Sequence, residues 1–125
     1  MPRTRPVTML VSYYPKEGKE RALLVLLKKQ WPTLDRMGLV SKMPQTIWRA
    51  SDKRTGRRYL VELFQWKDGR ASGRAHRTPE VMAIWNPMTA ILDTMQLAKV
   101  EPLATRKALS PEPDSAKMRV NHARP

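Results

Sequence analysis

The sequence predicts a single α+β domain whose strands and helices follow one another in the order βαββαβ. Two segments, 7–14 and 59–66, alternate with the period of two that is typical of strands. Two other segments repeat apolar residues at spacings of three and four, which is typical of helices with one buried face. The chain has 125 residues, which is enough for one domain with its own core.

The first strand and the first helix occupy the N-terminal third of the chain. Residues 1–6 are basic, contain two prolines and are expected to be disordered. Apolar residues at every second position from 7 to 13 predict a strand that ends at Pro15. The helix that follows should kink or break at Pro32, which lacks a backbone N–H, and should end at Gly38. Its apolar stripe has spacings of four, four and three: Leu23, Leu27, Trp31 and Leu34.

The middle of the chain predicts a β-hairpin. Residues 45–50 form its first strand, and 59–66 form its second. The segment 51–58 between them is a basic loop that contains Gly56. Asp68 and Gly69 end the hairpin, and a short helical piece follows at 70–77.

The second helix and the last strand lie between residues 78 and 103. Thr78 is a suitable N-cap, and Pro79 fits the first helical position. Apolar residues at helical spacing continue to Met95, with a kink expected at Pro87. The segment 98–103 predicts a short fourth strand.

The domain should therefore span residues 7–103, and the remaining residues, 104–125, should form a disordered basic tail. This tail has three prolines, five basic and two acidic residues. It contains too little apolar surface to offset the entropy lost on ordering.

The compact arrangement of these elements is ferredoxin-like, with a four-stranded antiparallel sheet and both helices on one face. The strand 59–66 is apolar on both faces, although only one face can lie under the helices. The other face covers on the order of 320 Å² in plan. An open apolar face of this size is near the limit that soluble monomers tolerate. We therefore expect a homodimer that pairs the two open sheet faces.

The net charge of +13, from 24 basic and 11 acidic residues, is the strongest compositional signal. It fits binding to nucleic acid, and it equally fits a solvated basic surface with non-specific affinity for polyanions. The absence of cysteine excludes disulfides and thiolate metal sites. No apolar run approaches the roughly 18 residues of a membrane span, and no signal-peptide pattern is present. A cytoplasmic location without membrane contact is expected.

Three segments of the predicted domain form a recognisable pattern. They are Gln30-Trp31-Pro32-Thr33-Leu34 through Gly38-Leu39-Val40, Val61-Glu62-Leu63-Phe64-Gln65-Trp66-Lys67, and Ala75-His76 leading into Thr78-Pro79-Glu80-Val81. This pattern resembles the dimeric α/β-barrel superfamily, in particular its antibiotic biosynthesis monooxygenase-like domains. The resemblance covers about residues 7–103 and implies a ferredoxin-like fold that dimerises. Members of the superfamily include cofactor-independent oxygenases acting on aromatic polyketides and haem-degrading oxygenases, so the fold does not fix the chemistry.

One activity of the superfamily can be tested residue by residue. Haem-degrading members carry an asparagine on the first strand and a tryptophan ahead of a histidine on the second helix. Here the first strand has no asparagine, and His76 precedes Trp85. This departure argues against haem degradation.

His76 is the predicted catalytic residue. It is the only histidine of the predicted domain, because His122 lies in the tail. An imidazole can act as a general base near neutral pH. The alternative is a structural histidine beside the helix start at Thr78. A metal site is not expected, because no second histidine or cysteine accompanies His76.

One carboxylate and four aromatic residues are the predicted substrate-binding residues. A buried Glu62 would have a raised pKa and could act as a base, whereas at a sheet edge or beside a basic partner it would be an ordinary carboxylate. The aromatic rings could stack on an aromatic ligand or could simply fill the core. The set is Glu62, Phe64, Trp66, Trp85 and Trp48.

Two functions remain open. The first is a pocket for a hydrophobic or aromatic small molecule, without a cofactor, as in the monooxygenases that act on aromatic or polyketide-like substrates. The second is a nucleic-acid-binding module that uses the basic surface. The strand 59–66 lacks most of the glycine and aromatic residues of an RNA-recognition motif, so only non-specific binding is expected.

Overall fold

The computed structural model describes residues 5–106. The predicted disorder at residues 1–4 and 107–125 lies outside the described residues, and the domain limits of 7 and 103 stay a prediction. The elements are β1 (Val7–Pro15), α1 (Glu20–Arg36), β2 (Thr46–Ser51), β3 (Arg58–Trp66), α2 (Ala71–Ala75), α3 (Pro79–Ala90) and β4 (Leu92–Val100).

The predicted α+β ferredoxin-like fold is confirmed. The four strands form one antiparallel sheet in the order β2-β3-β1-β4. Alternate residues of the two central strands, β1 and β3, are buried, which places the helices on one face of the sheet. The other face carries the half-buried residues between them. Among the described residues, no helix is long and apolar enough to cross a bilayer.

The last strand was predicted too late and too short. We expected residues up to Met95 to be helical and the strand to span 98–103, but β4 begins at Leu92. Residues 92–95 fit both the helical and the strand spacing of apolar residues. Their pairing with β1 makes them part of the strand. The chain just after β1 is also hydrogen-bonded to the end of α3. The Lys16 backbone N–H donates to the Ile91 carbonyl at 2.9 Å.

Neither internal proline breaks its helix. Helix α1 is continuous through Pro32, and helix α3 is continuous through Pro87. A proline removes only one backbone donor, and each helix has a buried apolar face that holds it against the sheet. Thr78 precedes α3 as predicted, but its hydroxyl donates to the Arg74 carbonyl instead of capping α3.

The buried face of α1 differs from the predicted stripe at one position. Leu23, Leu27 and Leu34 are buried as expected, but the third member of the face is Gln30. Trp31 is only half-buried and packs at the border of the core. A polar residue therefore lies in the middle of an apolar helix face, directly over the sheet.

Candidate ligand cavity

A cavity of about 290 Å³ lies between the sheet and the helices that cover it. Its floor is formed by β1 and β3, its walls by α2 and α3, and one side by β4. This volume lies at the lower end of the range for small-molecule sites. The lining residues are Met9, Val11, Tyr13, Gln30, Phe64, Trp66, Ser72, His76, Met82, Trp85, Asn86, Met88, Thr89, Leu92, Met95 and Leu97.

A chain of aromatic rings forms one wall of the cavity. Phe64 and Trp66 meet edge to face at 4.9 Å between ring centroids. Trp66 and Trp85 also meet edge to face, at 6.4 Å. The imidazole of His76 lies against Trp85 at 4.7 Å. The wall therefore offers ring faces and edges to a planar ligand.

His76 lies at the exposed rim of this cavity. Its Nδ1 is 2.8 Å from the Ser72 carbonyl, which can only accept a hydrogen bond. Nδ1 therefore carries a hydrogen, and Nε2 has no hydrogen-bond partner within residues 5–106. The sequence did not indicate whether His76 lines a pocket; in the structure it is one of the cavity-lining residues, and its catalytic role stays a prediction.

Glu62 lies beside the cavity, on the helix-covered face of the sheet, and is fully buried. Its Oε1 accepts a 2.6 Å hydrogen bond from the Tyr13 hydroxyl. Its Oε2 accepts two more, at 2.7 Å each, from the side-chain amides of Gln30 and Gln45. The expectation of a sheet-edge position or a basic partner is wrong, because all three partners are neutral donors supplied by β1, α1 and the segment before β2.

The orientation of both amides is fixed by their other partners. The Trp85 indole N–H donates to Gln30 Oε1 at 2.7 Å, so the nitrogen of Gln30 must face Glu62. The Gln45 nitrogen donates both to Glu62 and to the Leu27 carbonyl, and both of these groups accept. The network therefore has one direction, in which every hydrogen bond around Glu62 points toward its carboxylate.

Burial changes the proton affinity of both ionisable members of this network. Desolvation raises the pKa of Glu62, while the hydrogen bonds from Tyr13, Gln45 and Gln30 oppose that rise. Desolvation raises the pKa of Tyr13 well above its ordinary value, and the neighbouring Glu62 charge adds to the rise. Glu62 is therefore a stronger base than a carboxylate in water, and Tyr13 stays a neutral phenol.

The structure brings together four of the six predicted site residues. His76, Phe64, Trp66 and Trp85 all line the cavity. Glu62 does not line it, but contacts the lining residues Tyr13 and Gln30.

The prediction that Trp48 belongs to this site is wrong. Trp48 pairs with Val61, whose side chain lies on the face of β3 opposite to Glu62. It is 48% exposed on that open face of the sheet. A strand residue cannot serve both faces, because successive side chains alternate.

Sequence reasoning missed three members of the polar network. Tyr13 was assigned only to the first strand, and Gln30 and Gln45 were not considered as site residues. A signal existed for Gln30, because it lies three residues after Leu27 and four before Leu34 on the apolar helix face. A polar residue at such a position needs a buried partner, and Glu62 on β3 is that partner.

The charged surface lies outside this cavity. A larger open groove of about 750 Å³ is lined by residues of the β1–α1 turn and by arginines. Three of those arginines are already in ion pairs, Arg49 and Arg58 with Glu20 and Arg57 with Asp93. Within residues 5–106, no group of three histidine, aspartate or glutamate residues could hold a metal ion.

Two aromatic residues of β3, Tyr59 and Trp66, lie on opposite faces of the sheet, so they do not form one exposed surface for stacking bases. Trp66 is buried under the helices, and Tyr59 stacks on Tyr14 on the open sheet face, with ring centroids 4.6 Å apart.

Comparison with solved structures identifies the fold class. The chain is similar to SnoaB, a cofactor-independent oxygenase from Streptomyces nogalater, with a TM-score of 0.61 and 17% identity over 80% of this chain and 95% of that one. It is similar to a proposed antibiotic biosynthesis monooxygenase from Bacteroides thetaiotaomicron, with a TM-score of 0.60 and 13% identity over 85% and 97%. It is also similar to PA3566 from Pseudomonas aeruginosa, with a TM-score of 0.60 and 17% identity over 82% and 98%.

These likenesses confirm the predicted resemblance at the level of the fold. The chain has the ferredoxin-like architecture of the antibiotic biosynthesis monooxygenase-like proteins. No family model matches the sequence, and no curated protein matches it.

Proposed function

We propose that this protein binds a planar aromatic or polyketide-like molecule in the cavity and promotes its oxygenation without a cofactor. The observation that carries the proposal is the cavity itself, with an aromatic wall and a few polar groups from Tyr13, Gln30 and His76. Sites for small organic ligands combine mostly apolar walls with a few placed polar groups. The likeness to a cofactor-independent oxygenase supports the same class of chemistry.

The proposed reaction places limits on the substrate. A ring methylene conjugated with a carbonyl can lose a proton to give a stabilised carbanion, which reduces dioxygen by one electron. Radical recombination then forms a C–O bond, and loss of water leaves a ketone, so one methylene and one dioxygen yield one carbonyl and one water. The protein contributes orientation, exclusion of water and a base.

His76 is the candidate base at the rim. The hydrogen bond of its Nδ1 to the Ser72 carbonyl leaves Nε2 to act as the base, and the tilted contact with Trp85 helps to hold the ring in place. Phe64, Trp66 and Trp85 are the proposed ring contacts for the substrate.

The protein is further proposed to act as a homodimer through the open sheet face. This face carries Trp48, Tyr14, Tyr59, Val61 and Leu63, which are half-buried or exposed. Pairing it with a second copy would remove this apolar surface from water, at roughly 25 cal/mol per Å².

Anthrone, a three-ring ketone with an acidic methylene, is a suitable probe of the reaction. We expect the protein to accelerate oxygen uptake and the formation of anthraquinone, with no effect of EDTA. Trp66→Ala should remove most of the acceleration, whereas Val25→Ala, on the exposed side of α1, should keep it. Oxygen uptake no faster than in buffer, at anthrone concentrations that saturate binding, would rule out the oxygenase and leave a binding protein.

A further inference from the structure

Tyr13 lines the cavity, and its hydroxyl is hydrogen-bonded to the fully buried Glu62 carboxylate. The Tyr13 hydroxyl donates its only hydrogen to Glu62 Oε1, at 2.6 Å. A phenolic oxygen can still accept. Burial and the neighbouring Glu62 raise the pKa of Tyr13, and the Gln30 amide, whose nitrogen donates to Glu62, also acts on the Tyr13 hydroxyl and opposes that rise.

The other polar groups around Tyr13 are engaged with one another, although Gln30 Oε1 keeps a second lone pair. Gln30 Oε1 already accepts from the Trp85 indole, and Gln30 Nε2 donates to Glu62. The indole can only donate and is committed to Gln30. A ligand group that reaches Tyr13 therefore meets an oxygen lone pair, with the buried Glu62 carboxylate directly behind it.

We propose that Tyr13 and Glu62 form a proton-accepting pair that selects a ligand with a neutral hydroxyl, such as a phenol or an enol. This inference rests on the proposed aromatic ligand. It adds that the protein recognises a hydroxyl of that ligand, and that Tyr13 and Glu62 recognise it. A hydroxyl donates to the Tyr13 oxygen. An ether cannot donate, and a carboxylate is repelled by Glu62 across a low-dielectric interior.

The same arrangement provides a route for the proton. The ligand hydroxyl passes its proton to the Tyr13 oxygen while the Tyr13 proton moves to Glu62 Oε1. The ligand becomes an oxyanion, Tyr13 remains a neutral phenol, and Glu62 becomes a neutral acid. Tyr13 then donates to the new oxyanion, so that the same group accepts before the transfer and stabilises charge after it.

The surroundings of Glu62 make it the group that titrates beside Tyr13. Its hydrogen-bond partners are Tyr13 from β1, Gln30 from α1 and Gln45 before β2, and only Tyr13 among them is ionisable. On β2, Ile47 lies opposite Glu62 and the next residue on that face, Arg49, is paired with Glu20. On α2, His76 lies at the rim and contacts Trp85.

Three bicyclic probes test the selection: 2-naphthol, its methyl ether and 2-naphthoate. Calorimetry at pH 8 should show naphthol binding about five- to tenfold more tightly than the ether, which corresponds to one hydrogen bond. Naphthoate should bind more weakly than the ether. Tyr13→Phe should abolish the preference for naphthol and leave the affinity for the ether within about threefold, since the ring stays in place. His76→Ala should reduce both affinities by the same factor.

The pH profile separates this role from a purely structural one. As the pH falls and Glu62 takes up a proton on Oε1, that proton donates to the Tyr13 oxygen and turns the Tyr13 hydroxyl toward the cavity. The preference for naphthol over the ether should disappear, and Glu62→Gln should lack the preference at every pH. Should Tyr13→Phe keep the preference, or naphthoate bind as well as naphthol, the pair is not what selects the ligand. A chain that binds none of the three probes contradicts the proposed function itself, whereas equal binding of naphthol and ether contradicts only this inference.

Discussion

The indole nitrogen of Trp85 donates a 2.7 Å hydrogen bond to Gln30 Oε1 and so joins α3 to α1 across 55 positions of sequence. The Trp31 indole nitrogen is the opposite case. It is buried and has no hydrogen-bond partner among the described residues. The chain thus contains a paired and an unpaired buried indole in the same layer of helices.

These two indoles allow a matched measurement of the network's contribution to stability. Trp85→Phe and Trp31→Phe remove the same group, but only the first leaves Gln30 Oε1 without its donor. We expect Trp85→Phe to lower the free energy of unfolding by about 1–2 kcal/mol more than Trp31→Phe does. Urea unfolding of both variants measures the difference. Equal losses would mean that the Trp85–Gln30 bond contributes nothing net to folding.

The buried carboxylate predicts an unusual pH dependence. Because burial raises the pKa of Glu62, the folded chain holds a proton that the unfolded chain releases above about pH 4.3. The contribution of Glu62 is fully present below the unfolded pKa and is lost as the pH rises through the folded pKa. The stability of the natural chain relative to Glu62→Gln should therefore decrease as the pH rises from about 4.

Glu20 provides the control of opposite sign. Its hydrogen bond with Arg49 lowers the pKa of Glu20, so its contribution is present above the unfolded pKa and lost as the pH falls through the folded pKa. The stability of the natural chain relative to Glu20→Gln should decrease on acidification. Urea unfolding at several pH values gives both slopes, and slopes of the same sign would refute the assignment of Glu62 as the raised carboxylate.

The fold was predictable wherever the apolar residues of a segment fit only one period, either that of a strand or that of a helix. The strands β1 and β3 begin and end within one residue of their predicted positions, because alternation there meets no competing helical pattern. The start of β4 was not predictable, because residues 92–95 fit both periods and the pairing of Met95 with Tyr13 decides.

The site was predictable in its apolar part only. Aromatic residues on β3 and α3 pointed to a pocket wall, and four of the six named residues line the cavity. The polar network was not visible, because its members are distant in sequence: Tyr13 and Glu62 are 49 positions apart. No local pattern encodes such a pair. Trp48 was misplaced because the choice of strand face depends on register with β3.

The open sheet face predicts a homodimer at micromolar concentration. Trp48→Glu places a charge on this face and should yield monomers in light scattering. Val25→Glu, at the same 48% exposure but on α1, should leave the dimer intact. Because each chain carries a charge of +13, added salt should tighten the dimer modestly. A natural chain that is monomeric throughout this range, and binds single-stranded RNA through Tyr14 and Tyr59, would favour the nucleic-acid module instead.

The affinity for polyanions should depend on the tail, residues 104–125, and not on the domain. A chain that ends at Leu103 loses five basic and two acidic residues, a net loss of three positive charges. Its affinity for duplex DNA should fall, and the dependence of log affinity on log salt should become less steep, because fewer counterions are released. Fluorescence anisotropy at several salt concentrations measures both quantities. An unchanged salt dependence would locate the binding surface within the domain.

The most direct test of the cavity as a ligand site uses the four tryptophans as reporters. Two of their indoles, Trp66 and Trp85, line the cavity, whereas Trp48 lies on the opposite sheet face and Trp31 lies outside the cavity lining. In a ¹H–¹⁵N spectrum titrated with 2-naphthol, the indole signals of Trp66 and Trp85 should shift with one common dissociation constant, and those of Trp31 and Trp48 should stay in place. A shift confined to Trp48, or no indole shift at saturating naphthol, would contradict the account.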